Sequence, residues 1–305
     1  MSLESYLAEL GDESKPVVFK RLANLSMLST ENLMLFLGRF ANMEKARRME
    51  IIEKLVEMAE EKIDVNFNDI FIACLQDPDS EVRASAIEGL WEDEDRSIID
   101  PLIAILHRDN QEAVRAAAAT ALGRFAMLAE LGEMRQQDEE KVQKALLTVI
   151  ENGKEGLEVR RRAIESLAPF DLPKITNIIR EAYNSNDYEM RASAIYAMGM
   201  NCDPKWLDTL IGELSNTDAE MRYEAARACG EIGEERAVPH LVKLIHDPDA
   251  QVRLAAIAAL GRIGSSEAEE ALKARLNDPD EYIRDITEDV LDELYLNKDP
   301  FPFRI

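Results

Sequence analysis

One short pattern recurs along this chain at nearly constant spacing, and that recurrence limits the fold more than any bulk property does. Its fullest copy is DPDAQVRLAAIAALG, residues 247–261. Aligned on the arginine, the copies centre on Arg83, Arg115, Arg160, Arg191, Arg222, Arg253 and Arg284, with successive gaps of 32, 45, 31, 31, 31 and 31 residues. The residue before each arginine is Val82, Val114, Val159, Met190, Met221, Val252 or Ile283. Three residues after it stands Ala86, Ala118, Ala163, Ala194, Ala225, Ala256 or Thr287, and seven after it Leu90, Leu122, Leu167, Met198, Cys229, Leu260 or Leu291. These offsets lie four residues apart, so the side chains form one stripe on a helix. The stripe reads as a core face, with alanine at its middle so that a neighbouring helix can close in. Gly123, Gly199, Gly230 and Gly261, eight residues after the arginine, are expected to end their helices, where a C-terminal glycine commonly sits. Asp79, Asp249 and Asp280 supply N-cap acceptors, each after a proline that disfavours helix in the residue before it.

Upstream of each such helix lies a second amphipathic segment, such as IIDPLIAIL at 98–106 or AVPHLVKLI at 237–245. The unit is therefore a helical hairpin. At this point the chain resembles the HEAT-repeat family, in particular the bacterial subclass first noticed in phycobilin lyases, whose unit reads D-x-x-x-x-V-R-x-x-A-x-x-A-L-G. The resemblance covers most of residues 66–296 and is specific because the motif recurs in register. It implies an all-α, right-handed α-solenoid of about eight hairpins with N- and C-terminal caps. It also implies that Asp77, Asp109, Asp247 and Asp278, with Arg83, Arg115, Arg253 and Arg284, form a ladder tying neighbouring hairpins together. Lys154, Ser185 and Asn216 depart from the aspartate, so the ladder should be incomplete there.

Taken in order, residues 1–28 read as an N-terminal cap and 29–264 as the repeats. Within these, Arg48, Ile51 and Leu55 make a degenerate eighth copy. The gap of 45 reflects an insertion at 126–138 that is either a helix extension or a protruding loop. Residues 265–298 read as a capping hairpin with a polar last face that includes Asp285, Thr287, Glu288 and Asp289. The tail at 299–305, DPFPFRI, either folds back on that cap or serves as a peptide for another protein. Because each hairpin packs only on its neighbours, residues 1–305 are expected to form one solenoid rather than separate domains.

The chain carries 36 basic and 60 acidic side chains, a net charge of -24. Such a charge repels phosphate backbones and anionic membrane surfaces. Nucleic acid and membrane are thus not expected partners, and the absence of a signal core or apolar span of roughly 18 residues points to a cytoplasmic protein. Cys74, Cys202 and Cys229 are too scattered for a disulfide framework and read as buried free thiols. Trp91 and Trp206 read as packing residues. The acidic turn at 92–95 lacks the alternating ligands of a calcium loop.

Chemistry is sparse. His107, His240 and His246 have no metal-ligand spacing, and no GxSxG, Walker-type or GxGxxG sequence occurs. Deoxyhypusine hydroxylases resemble this array but hold iron with His-Glu pairs, and this chain has none. No catalytic residue, metal or cofactor is assigned. What remains is the surface of the motif helices, where Arg161, Arg162, Tyr196, Tyr223 and Arg227 place arginine and tyrosine on what should be the concave face. These residue types anchor protein interfaces. The expectation is a non-enzymatic scaffold or adaptor, monomeric, that binds another protein there as an assembly or maturation factor. The alternative is a bilin lyase-like enzyme or chaperone acting on a tetrapyrrole-binding protein, although shared scaffold residues cannot transfer an activity.

Overall fold

The structure, a computed structural model, describes residues 2–298, so the expectations for the tail at 299–305 fall outside it. Among the described residues every regular element is helical. The chain divides into two compact units, one ending at Leu167 and the other beginning at Ala168. The first opens with α1 (Leu3–Leu10), capped by Ser2, and a 3₁₀ turn at Phe19–Leu25. Four hairpins follow: α2 (Thr30–Phe40) with α3 (Lys45–Glu61), α4 (Asn68–Cys74) with α5 (Ser80–Glu88), α6 (Ile99–Arg108) with α7 (Glu112–Glu130), and α8 (Gln136–Glu151) with α9 (Leu157–Leu167). The second unit holds α10 (Pro173–Tyr183) with α11 (Tyr188–Met200), α12 (Leu207–Glu213) with α13 (Ala219–Ile232), α14 (Val238–Leu244) with α15 (Ala250–Ile263), and α16 (Ser266–Arg275) with α17 (Glu281–Lys298).

From α4 onward each first helix packs on the second of its hairpin, and within each unit the motif helices pack side by side in a row. The three-position stripe is the reason. In all seven copies its residues are at most 4% exposed. Asp79, Asp218 and Asp249 start their helices by accepting the N–H of the residue two further on, at 3.0, 2.9 and 2.9 Å. Each satisfies a backbone donor that the first turn leaves unpaired.

The glycines at plus eight do not end the helices. Gly123, Gly199, Gly230 and Gly261 all lie inside them, and α13 and α15 stop instead at Gly233 and Gly264, whose φ values of +74° and +62° form left-handed caps. The inner glycines permit helix contact. A Cβ on Gly199 would lie 2.7 Å from the Ala228 Cα, and one on Gly230 would lie 2.8 Å from the Ala259 Cα. Backbone meets backbone there, and only glycine leaves the room.

Between hairpins runs a ladder of arginine and carboxylate. Arg83 Nη1 donates to the carbonyls of Asp77 and Pro78 in its own hairpin at 2.8 and 3.2 Å, while Nε and Nη2 grip the Asp109 carboxylate of the next at 2.8 and 2.9 Å. Arg222 repeats this with Asn216, Thr217 and Asp247. Arg48 of the degenerate copy takes Asp77 at 3.0 and 3.1 Å, both groups being buried. Two rungs depart from expectation. Lys154 does not break the ladder, because Glu155 beside it reaches Arg115 at 2.7 Å. At the far end Asp278 pairs with Arg275 rather than with Arg253, and among the described residues Arg253 keeps its carbonyl contacts to Asp247 and Pro248 without a carboxylate from the next hairpin.

The insertion at 126–138 is mainly a helix extension, closed by a short turn at 131–135. It lengthens α7 to Glu130 and contributes the start of α8, with Asp138 buried and paired to Arg96 at 2.8 Å. In the last hairpin Asp285, Glu288 and Asp289 are exposed as expected, whereas Thr287 is fully buried and its hydroxyl donates to the Ile283 carbonyl at 2.6 Å. Cys74 and Cys229 are buried, and burial pushes each thiol up to about 12, but Cys202 is exposed. Trp206 is buried with its indole N–H on Asn201, while Trp91 is half exposed rather than packed.

Two measurements test this packing. In an open helix, glycine to alanine gains up to about 1 kcal/mol, and Gly38 in α2 has nothing within 4 Å of an added Cβ. Gly38→Ala should therefore raise the unfolding free energy, while Gly230→Ala should lower it by about 1 to 3 kcal/mol through overpacking. Equal gains in denaturant titrations would place α13 and α15 further apart than described. The second concerns Asp247, whose carboxyl is held below the usual carboxylate range by its hydrogen bonds from Arg222. A carboxyl whose pKa is lowered by folding contributes stability above its unfolded pKa, about 3.9, and loses it as pH falls through the folded value. Asp247→Asn should cost roughly 3 kcal/mol at neutral pH, and its difference from wild type should shrink as the pH drops below the ordinary carboxylate range.

Candidate functional site

Of the residues singled out by the pattern, the second unit brings three together. Tyr196 lies on α11, and Tyr223 and Arg227 lie on α13, with the Arg227 guanidinium carbon 5.6 Å from the Tyr196 ring centroid and 5.5 Å from that of Tyr223. The repeat itself makes the cluster. Tyr196 and Arg227 occupy the same position in successive copies, 31 residues apart, so parallel stacking of the motif helices sets them side by side. Tyr223 and Arg227 are four residues apart on one helix and share a face. All three are part-exposed, and Glu224 holds the guanidinium from one side at 3.6 Å. An arginine between two rings is worth about 0.5 to 1 kcal/mol at an exposed site.

Arg161 and Arg162 lie in the first unit, on α9. Arg161 Nη1 donates to Glu158 at 2.9 Å, and its side chain is only 12% exposed. Arg162 donates to Glu158 at 2.8 Å and to Glu165 at 2.9 Å. Both are thus held in helix-surface pairs with neighbours three or four residues away.

A second polar cluster was not anticipated. A cleft of about 420 Å³ is lined by Tyr183, Tyr188, Arg191, Glu213, Asn216 and Asp218 among others. The Tyr188 hydroxyl lies 2.6 Å from an Asp218 carboxylate oxygen and 2.9 Å from one of Glu220, its single proton shared between them, and the Tyr183 hydroxyl donates to Glu213. Burial, followed by these acidic partners, raises both phenols, that of Tyr183 to about 12. The Tyr188 hydrogen bond in turn holds the Asp218 carboxyl below its usual range. The only sequence signal for this place was Asn216, standing where a ladder aspartate belongs.

Among the described residues no group of three or more His, Cys, Asp or Glu side chains is placed to hold a metal ion, and no helix is long and apolar enough to cross a membrane.

Comparison with solved structures finds the same kind of fold. Yeast importin-beta (Kap95p) aligns with 96% of this chain and 44% of its own at 12% identity and a TM-score of 0.54. The Kap95:Nup1 complex aligns over the same shares at 12% identity and a TM-score of 0.51. The complex of CpcE and CpcF of phycocyanin lyase from Nostoc sp. aligns with 77% of this chain and 97% of its own at 20% identity and a TM-score of 0.49. No curated protein matches the chain. The family model for HEAT repeats matches residues 68–151 and 207–292. With more than half of its length matched and its hairpins tied by arginine–carboxylate rungs, this chain belongs to the HEAT-repeat family.

Proposed function

We propose that this protein is a non-enzymatic scaffold that binds another protein on the exposed face of its motif helices and acts as an assembly or maturation factor. The observation that carries the reading is the Tyr196–Arg227–Tyr223 cluster, a preformed aromatic and cationic surface in a chain of net charge -24. None of the three serves the core stripe or the ladder, so the fold does not account for them. Tyrosine and arginine are the residue types in which interface energy concentrates, and rigid anchors reduce the entropy lost on binding. Arg161 and Arg162, on α9 of the first unit, are read as contacts of the same residue type, and the partner segment is read as acidic or extended. A HEAT-like fold is also seen in complex with another protein in the Kap95:Nup1 structure.

The test compares tagged wild-type protein with a Tyr196→Ala, Tyr223→Ala double variant, each incubated in lysate of its own host. The variant should melt within about 1 °C of wild type, because neither ring is in the core, and should bind the partner more weakly by roughly 2 kcal/mol or more. Proteins kept in stoichiometric amount by wild type and lost from the variant would support the reading. Equal retention by both would remove the cluster from the interface, and a wild-type bait that keeps nothing would overturn the scaffold itself.

A further inference from the structure

Arg191 stands at a ladder position but makes only half of the ladder's contacts. Its Nη1 donates to the Ser185 carbonyl at 3.1 Å, as that of Arg222 donates to Asn216 at 2.9 Å. Arg222 then grips the carboxylate 25 residues further on, Asp247. The residue 25 beyond Arg191 is Asn216. Its Oδ1 accepts the Asp218 N–H at 2.9 Å, just as the Asp247 Oδ1 accepts that of Asp249 at 2.9 Å. The side-chain amide therefore stands where the second carboxylate oxygen would be, and it donates to Glu213 at 2.6 Å. An amide N–H cannot accept from a guanidinium. Among the described residues no carboxylate pairs with Arg191, whose remaining contact is the Tyr188 ring at 5.9 Å, and the side chain lines the cleft of about 420 Å³. The acids around it are already engaged, Glu213 by Tyr183 and Asn216, Asp218 and Glu220 by Tyr188.

We infer that this cleft binds a Glu or Asp side chain of a partner polypeptide, whose carboxylate completes the missing rung on Arg191 in trans. The chemistry is that of the intact rungs in the same chain, a charge-assisted and geometrically matched arginine–carboxylate pair. The rim carboxylates of Glu213 and Asp218 shape the rest of the ligand. They favour a segment in which the acidic residue is followed by Lys or Arg, and they repel a free, multiply charged oxyanion. The inference takes the source of the carboxylate from the protein-binding reading above, but its test does not depend on the tyrosine cluster.

The probes are three: acetyl-Gly-Glu-Lys-amide, acetyl-Gly-Gln-Lys-amide and inorganic phosphate, each titrated into ¹⁵N-labelled full-length protein while the Arg191 Nε–Hε resonance is followed. That resonance is identified by its absence in Arg191→Lys. The glutamyl peptide should shift it saturably, with an affinity at least tenfold above that of the glutaminyl peptide. General attraction to an acidic protein works the other way, since the glutaminyl peptide carries the larger positive charge. Asn216→Asp, which supplies the carboxylate in cis, should leave the protein at least as heat-stable as wild type and abolish the response. Equal shifts with both peptides, a response to phosphate alone, or undiminished binding by Asn216→Asp would each overturn the site. Such a result would leave the tyrosine cluster standing, because that surface is judged by proteins retained on the tagged chain.

Discussion

The stacking in this protein is set by an arginine held at two ends, an arrangement made by Arg48, Arg83, Arg115 and Arg222. One end of the guanidinium ties down carbonyls at the turn of its own hairpin, and the other takes a carboxylate from the next. The first contact fixes the entry of the motif helix and the second fixes its neighbour's distance and rotation. Because a guanidinium is planar and its donors are rigidly arranged, the rung sets an orientation as well as a separation. The stripe of Val, Ala and Leu then packs in a register already chosen. Loss of a rung is thus a loss of alignment between hairpins, and the helices themselves would persist.

Much of this is legible because a repeat presents the same physics many times. The degenerate copy at Arg48, Ile51 and Leu55 was readable from register alone, and its arginine forms a buried rung with Asp77. The glycines were misread for a physical reason. Two glycines stand three residues apart at the ends of α13 and α15, and either could end a helix; the nearer is pinned by a residue of the next motif helix, Ala259 against Gly230 and Val290 against Gly261, leaving the farther to turn left-handed. That choice is made by a neighbour 29 residues away, and local pattern does not contain it. Glu155 rescuing the rung lost at Lys154 is the same kind of event, a substitution seen only once two hairpins are stacked.

The two polar clusters divide in the same way. Tyr196, Tyr223 and Arg227 were visible because they occupy corresponding positions in successive copies, so the repeat spacing alone predicts that they meet. The Tyr183, Tyr188 and Arg191 cleft was invisible because its pairings join the turn inside one hairpin to the turn inside the next, Tyr183 to Glu213 and Tyr188 to Asp218, through side chains that the core stripe does not dictate. Its one trace was a missing aspartate. In a repeat protein a departure from the consensus carries more information than a match.

The lengthened connection between α7 and α8, which joins two successive hairpins, shows a further property of this design. Fourteen residues beyond the common 31 separate Arg115 from Arg160, yet the rung from Arg115 to Glu155 and the contact of Gly123 with Ser166 both remain. The added residues lie at the connection between the two hairpins, away from the turns that carry the ladder, and extend α7 and α8 together. The array therefore has a direction in which length is free and another in which it is fixed. Sequence added at the exposed turn of residues 131–135 grows outward without disturbing the stacking, which gives this scaffold a place to acquire new surface while the register of its neighbours stays as it was.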